Sequence, residues 1–301
     1  MKINEIINNI DKDEIRKIFN EHFTYDGEIT IDDNGFISCS GDVKLIRKLS
    51  KLPVKFLKID GDFNCYKNRL TTLEGSPTSI NGTFYCSINQ LKTLEGGPTS
   101  VGGSFYCSNN QLTTLVGCPT SVGGSFDCSK NKLTTLAGCP TSVGGNFNCF
   151  ENKLTTLEGG PTSVGGSFYC SNNQLTTLVG CPTSVGGSFD CSKNKLTTLA
   201  GGPKLIDGNF YCYENPNLKN LNHLPSGISD LWMPYSPIMP LLRCLIAKDT
   251  NFDPRTDINN QIEYILNKYA GQGRKAALDC AADLLSLGKK LDIDLTMNAR
   301  W

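Results

Sequence analysis

Histidine is almost missing from this 301-residue chain: His22 and His223 stand far apart, and neither has a neighbouring motif that would make it a base. Net charge is missing too, with 29 basic residues against 29 acidic ones. That balance provides no electrostatic hold on nucleic acid or on an anionic membrane, so neither is expected as a partner. No apolar run is long enough to span a bilayer, and the first residues, MKINEIINNI, lack the unbroken apolar core of a secretory signal. A cytoplasmic location is the expectation. Paired glycines recur, but no Gly-Lys-Ser/Thr follows any of them, so they do not form a phosphate loop and no cofactor is expected.

Cysteine, in contrast, is abundant, at 14 residues. Without a secretion signal these thiols are expected to stay reduced. Their spacing is more informative than their number. Cys65, Cys86, Cys107, Cys128, Cys149, Cys170, Cys191 and Cys212 are each 21 residues apart. A phenylalanine precedes each by two, from Phe63 to Phe210, and an asparagine follows each by three, from Asn68 to Asn215. Leucines equivalent to Leu70 and Leu73, prolines from Pro77 to Pro203 and an Ile or Val equivalent to Ile80 complete the frame. An extra residue near Pro216 slips the register by one, after which Leu218, Leu221, Pro225 and Ile228 resume it. The stretch from Thr93 to Gly138 recurs without change from Thr156 to Gly201. A fixed period of this kind outranks other signals because it sets the architecture.

Phe-x-Cys has strand spacing, so both side chains point to one face. The asparagine is placed to bond backbone groups that the following turn leaves unpaired. L-x-x-L dips back inside, and G-x-P-T-S-V-G-G returns along the far side without a regular helix. One coil cannot hide its own apolar side, whereas stacked coils share a continuous core. The expected core ladder includes Phe105, Cys107, Phe126, Cys128, Phe168 and Cys170. Thiols in such a ladder point in parallel, which suits neither tetrahedral zinc nor disulfides between rungs. Cys118, Cys139 and Cys181, in the return segment, are expected to be partly exposed.

The motif F-x-C-S-x-N-x-L-x-x-L-x-G-x-P-x-S-V resembles the leucine-rich repeat in its short bacterial form of 20 to 22 residues, and Leu49, Leu52 and Pro53 carry that form's Leu-x-x-Leu-Pro. The resemblance implies a mainly β solenoid of eight or nine coils, with a parallel sheet, one strand per coil and no convex helices. A solenoid exposes apolar ends and needs covering, and the flanking residues read as an α/β cap over 1–43 and a helical C-terminal unit over 233–301 on either side of a solenoid over 44–232. In the N-terminal cap, Ile15, Ile18, Phe19 and Phe23 have helical spacing after Asp11 or Asp13, and GEITIDDNGFISCS reads as a hairpin around Asn34-Gly35. In the C-terminal unit, PIMPLLRCLIA suits a short helix. Ile258, Ile262, Ile265, Leu266 and Tyr269 share one face of a second, and an Ala-rich third follows. Such repeats joined to a tail like GRKAALDCAADL…NARW resemble the leucine-rich repeat proteins of large tailed bacteriophages, which implies action inside an infected bacterium.

Comparison among the coils separates frame from display. Between Phe and Cys the series reads Asn64, Tyr85, Tyr106, Asp127, Asn148, Tyr169, Asp190, Tyr211; just after Cys it reads Tyr66, Ser87, Ser108, Ser129, Phe150, Ser171, Ser192, Tyr213. Alternation sends both series outward, to the concave side in this family. Aromatic residues are enriched in interface cores, so Tyr66, Tyr85, Tyr106, Asp127, Phe150, Tyr169, Asp190, Tyr211 and Tyr213 form the candidate surface for a protein partner. The competing reading is that these residues only stack on neighbouring coils. The chain is expected to be non-catalytic. A scaffold or virion component is the alternative. Two further readings are weaker: a ubiquitin-ligase effector, because Cys280 lacks the Cys-x-Asp spacing, and an ice-binding solenoid, because Thr71 and Thr72 and their equivalents sit at a bend.

Overall fold

The computed structural model of the chain describes residues 11–218, 221–233, 249–252, 257–270, 272 and 274–291. Each Phe-x-Cys triplet opens a coil with a two-residue strand whose Phe is buried and whose next residue faces outward, as in Phe126–Asp127. These strands stack in parallel with no slip: Phe105 pairs with Phe126, which pairs with Phe147. Successive Phe rings along the stack have centroids 5.0 to 5.9 Å apart. Across the coil, Ser-Val pairs form a second parallel sheet, with Ser121 beside Ser142 and Val122 beside Val143. The resemblance implied one strand per coil; here the far side is also a sheet, because the serine faces water while the valine reaches the core. The result is a β-solenoid of about nine coils, with a twelve-stranded and a ten-stranded sheet.

The core is continuous. In one coil Phe126, Cys128, Leu133, Leu136 and Val143 are all buried, and the pattern repeats from coil to coil. The extra residue near Pro216 is offset by one fewer before the last repeat strand, Asp230–Met233. Leu231 therefore pairs with Phe210, and Leu231 and Met233 take the buried Phe and Cys places.

The asparagine holds one coil to the previous one. Asn131 is buried; its Nδ2 donates to the carbonyls of Cys107 (3.1 Å), Cys128 (3.0 Å) and Ser129 (3.1 Å), and its Oδ1 accepts from the Leu112 amide (3.0 Å). The same set recurs for Asn89, Asn110, Asn152, Asn173, Asn194 and Asn215. Each amide thus binds backbone groups of two coils.

The turn that aims this asparagine requires a left-handed residue just before it. Lys67, Ile88, Asn109, Lys130, Glu151, Asn172, Lys193 and Glu214 all have φ between 52° and 57°. That conformation is routine for Asn and strained for a β-branched side chain. The glycines of the return segment answer a different demand: a Cβ on Gly123 would overlap the carbonyl oxygen of Gly102 in the coil below.

The N-terminal segment closes both sheets. Helix α1 (Lys12–His22) is capped by Asp11, whose side chain accepts from the amides of Asp13 and Glu14. Phe19 is buried, and Ile15 and Ile18 pack against the core. Strand β1 (Phe23–Tyr25) adds antiparallel to β4 (Val43–Leu45) at the edge of the twelve-stranded sheet. Strands β2 (Ile29–Ile31) and β3 (Phe36–Cys39) form the expected hairpin, with Gly35 at φ 76°, and β2 ends the ten-stranded sheet. Both edge strands run against their neighbours, so the parallel stack stops there. At the other end the strand Asp249–Phe252 extends the longer sheet, and α2 (Asp257–Tyr269) and α3 (Arg274–Leu291) follow. Ile262 and Leu266 are buried, as are Cys280 and Leu284, and the Tyr269 hydroxyl donates to Asp283 (2.9 Å) between the helices. The short helix expected at PIMPLLRCLIA lies outside the described residues.

The thirteen described cysteines are free thiols. Cys139 is buried, contrary to the partial exposure expected of it; Cys118 and Cys181 are half-buried. Burial pushes the Cys65 and Cys139 thiols from the ordinary 9.0 up to about 12, and raises those of Cys86, Cys107, Cys128, Cys149, Cys170 and Cys191 well above 9.0.

Three outcomes are expected. Asn131→Ala leaves the Leu112 amide and three carbonyls without their shared partner, and should lower the unfolding free energy by about 3 kcal/mol in urea titration. A loss below about 0.5 kcal/mol would mean the ladder is incidental. Ile88→Asn relieves a strained left-handed isoleucine and should raise stability by about 1 kcal/mol in the same assay. The third outcome concerns pH. Thiols that ionise near 9 when unfolded but resist ionisation when folded give the unfolded state the advantage as pH rises. Stability should therefore be independent of these groups below pH about 9 and fall steadily between about 9 and about 12. Serine at Cys86, Cys107 and Cys128 together should reduce that slope.

Candidate functional site

The outward side of the twelve-stranded sheet carries the variable residues, and each position along it is set by the register below. Lys44, Asn64, Tyr85, Tyr106, Asp127, Asn148, Tyr169, Asp190 and Tyr211 form one row of paired positions. From Asn64 to Tyr211 the row is half-buried. The second row contains Tyr66, 48% exposed, and half-buried Phe150 and Tyr213, separated by buried serines.

The nine predicted residues do not form one patch. Tyr85 and Tyr106 stack at 5.4 Å, near Tyr66 at the N-terminal end. Asp127 sits in the middle, its Oδ1 accepting from the Ser129 amide (2.9 Å). Phe150, Tyr169, Asp190 and Tyr213 are brought together: with Ser171, Ser192, Asn148 and Lys193 they line a cavity of about 330 Å³. Tyr211 belongs to the C-terminal end, where it accepts from Asn209 (2.9 Å) and stacks on Trp232 at 6.2 Å.

The cavity follows from residue size. In the second row Phe150 and Tyr213 stand three coils apart, about 14 Å at the usual strand spacing, and only Ser171 and Ser192 lie between them. Two bulky walls and a low floor make a slot. Asp190 lies on the floor's flank: its Oδ1 accepts from the Ser192 amide (2.9 Å) and hydroxyl (2.6 Å), and its Oδ2 from the Ser171 hydroxyl (2.8 Å). Lys193 at the rim pairs with Glu214 at 3.6 Å.

Two features of this face escaped sequence reasoning. Trp232 continues the first row beside Tyr211. Its signal was present in Leu231-Trp232-Met233, which sits 21 residues after Phe210-Tyr211-Cys212, but neither flanking residue matches the repeat. The acid and amide residues of the first row also have a local role: Asn64, Asp127, Asn148 and Asp190 each accept from the amide two residues on. Such Asx contacts shape the strand exit whether or not a partner binds.

Elsewhere, no three His, Cys, Asp or Glu side chains among the described residues gather as metal ligands would. No described helix is long and apolar enough to cross a membrane. Cys280 is buried, and its thiol is pushed up to about 12, mainly by that burial. The threonine hydroxyls at the bend are spent on backbone: Thr71 donates to the Ser50 carbonyl, and Thr72 accepts from the Glu74 amide.

No protein-family model matches the chain, and no curated protein matches it. Among solved structures the chain is similar to YopM from Yersinia enterocolitica WA-314, at 16% identity and a TM-score of 0.32, over 69% of this chain and 65% of that one. The chain thus spans less than two thirds of that protein's length, and a likeness at this score carries no argument; the solenoid assignment stands on its own coil geometry and register.

Proposed function

We propose that the chain is a non-catalytic binding module that grips a protein partner with the outward face of its longer sheet. One observation carries this reading: the outward positions of the longer sheet vary from coil to coil, and seven of the sixteen residues in its two outward rows are Tyr or Phe, more aromatic surface than solubility alone would require. Tyrosine offers wide contact area with few rotatable bonds to immobilise, which suits an interface. These rings are half-buried or, at Tyr66, exposed, so part of each remains accessible to a partner. Cys280 is buried and its thiol is pushed up to about 12, which disfavours the ubiquitin-ligase reading in which it would act as the nucleophile.

The resemblance to phage leucine-rich repeat proteins extends the proposal: the partner is a host protein met in the bacterial cytoplasm, and binding inhibits a defence function. A scaffold or virion component is the second reading. It is favoured by the Tyr85–Tyr106 and Tyr211–Trp232 stacks, which need no partner to form.

Tyr106→Ser, Tyr169→Ser and Tyr211→Ser combined should lower the melting temperature by only a few degrees, since each ring stack is worth about 1 kcal/mol. The same variant should lose most of its capture of partner from host lysate. A folded variant that captures as well as the parent would remove this face from consideration. Recovery of the protein from purified particles would favour the scaffold.

A further inference from the structure

The slot between Phe150 and Tyr213 holds an acid, Asp190, that forms no ion pair with any described residue; Lys193, which lines the same slot, pairs instead with Glu214. Every hydrogen bond that Asp190 accepts comes from a neutral donor, the Ser192 amide and hydroxyl and the Ser171 hydroxyl. Among the described residues no lysine or arginine pairs with it. A carboxylate withdrawn part-way from water gains most from a cation that arrives already shedding its hydration. The walls beside it are aromatic, Phe150 on one side and Tyr213 on the other, with Tyr169 next to Asp190 in the row. Aromatic faces attract cations by their quadrupole, and most strongly where water is partly excluded.

We propose that this slot receives an arginine side chain presented by the protein partner, an inference that rests on the strand face being the binding surface. Three features favour arginine over other occupants. Guanidinium is weakly hydrated and stacks flat on aromatic rings, whereas an ammonium keeps its water. Three donors already occupy the Asp190 oxygens, so a carboxylate with about four acceptor directions has room for one more N–H, which a guanidinium stacked on the rings can supply from a single nitrogen. The one cation of the lining, Lys193, is engaged by Glu214, and Glu151 is exposed next to Phe150, so the rim leaves the slot open to a second cation. The volume, about 330 Å³, fits one long side chain and lies at the bottom of the range used for small-molecule ligands, ~300–1,000 Å³.

Asp190→Asn is a clean probe because the fold already uses asparagine in this row. Asn64 and Asn148 keep the same Oδ1 contact, to the amides of Tyr66 and Phe150. The full chain is titrated with Nα-acetyl-arginine amide, and with the citrulline and lysine analogues blocked in the same way, following slot resonances by NMR. The arginine probe should bind in the millimolar range and weaken with added salt. Citrulline, which has the shape without the charge, should bind about tenfold more weakly or worse, and Asp190→Asn should lose about as much at unchanged melting temperature. Tyr213→Ser, which installs the residue most coils carry there, removes one wall and should weaken the arginine probe as well. Equal binding of arginine and citrulline, or full binding by a folded Asp190→Asn protein, overturns the proposal.

Partner capture separates this idea from the broader one. If Tyr106→Ser with Tyr211→Ser, both outside the slot, abolishes capture while Asp190→Asn leaves it intact, the face is right and the arginine slot is wrong. If both variants capture normally, both fail. Loss with each, together with arginine-selective binding in the titration, supports both.

Discussion

A coil of this solenoid cannot satisfy its own backbone. After each Cys the chain turns sharply, and the carbonyls and amide stranded there are met by one asparagine side chain that reaches back into the preceding coil. Asn131 does this for Cys107 and Leu112, and Asn110 for Cys86 and Leu91. Because the amide has one length and must contact groups of two coils at once, it admits one rise and one register. The Phe stack, the thiol row and the paired Leu layers then coincide from coil to coil, since any slip would strand the asparagine together with the groups it serves. Burial supplies most of the driving force; the asparagine makes the burial periodic.

That division explains what could be read from the residues and what could not. Phe105, Cys107 and Asn110 declare themselves because a buried place tolerates little change, so their spacing shows the stack directly. The second sheet was less visible. Ser121-Val122 is a two-residue strand lying between a proline and paired glycines, and alternation over two residues cannot be told from a turn. The left-handed residue before each asparagine was hidden for another reason: Lys130, Glu151 and Ile88 carry no mark of that conformation. Only the geometry of the asparagine's bonds requires it. Trp232 was missed because its neighbours Leu231 and Met233 fill the Phe and Cys places with other apolar residues of suitable bulk.

The outward face was legible as a set of residues and illegible as a shape. Alternation places Phe150, Tyr169, Asp190 and Tyr213 on one side, but it says nothing about the gaps between them. A cavity depends on which residues are small as much as on which are large. Ser171 and Ser192 count here because they are low between two aromatic walls, and in a one-dimensional series they look like filler. The acids had a second reading hidden in the same way. Asp127 and Asp190 occupy places where asparagine also serves, so part of their role is to close the strand exit.

The long internal duplication sharpens this point. Tyr106, Asp127 and Lys130 are matched residue for residue by Tyr169, Asp190 and Lys193, yet the two copies present different surfaces. The first copy follows Ser87 and precedes Phe150; the second follows Phe150 and precedes Tyr213. The first copy lies in the wider gap of three serines between Tyr66 and Phe150, the second in the narrower gap of two between Phe150 and Tyr213, and Asp190 adds two serine hydroxyls to the amide contact that it shares with Asp127. Neither wall of the slot lies within the copied block. Duplicating coils therefore reproduces the frame faithfully, while a new recess arises at the junctions, where a copied row of small residues meets an aromatic that was not copied with it. In a protein built this way, the unit that evolves is the boundary between repeats as much as the repeat itself.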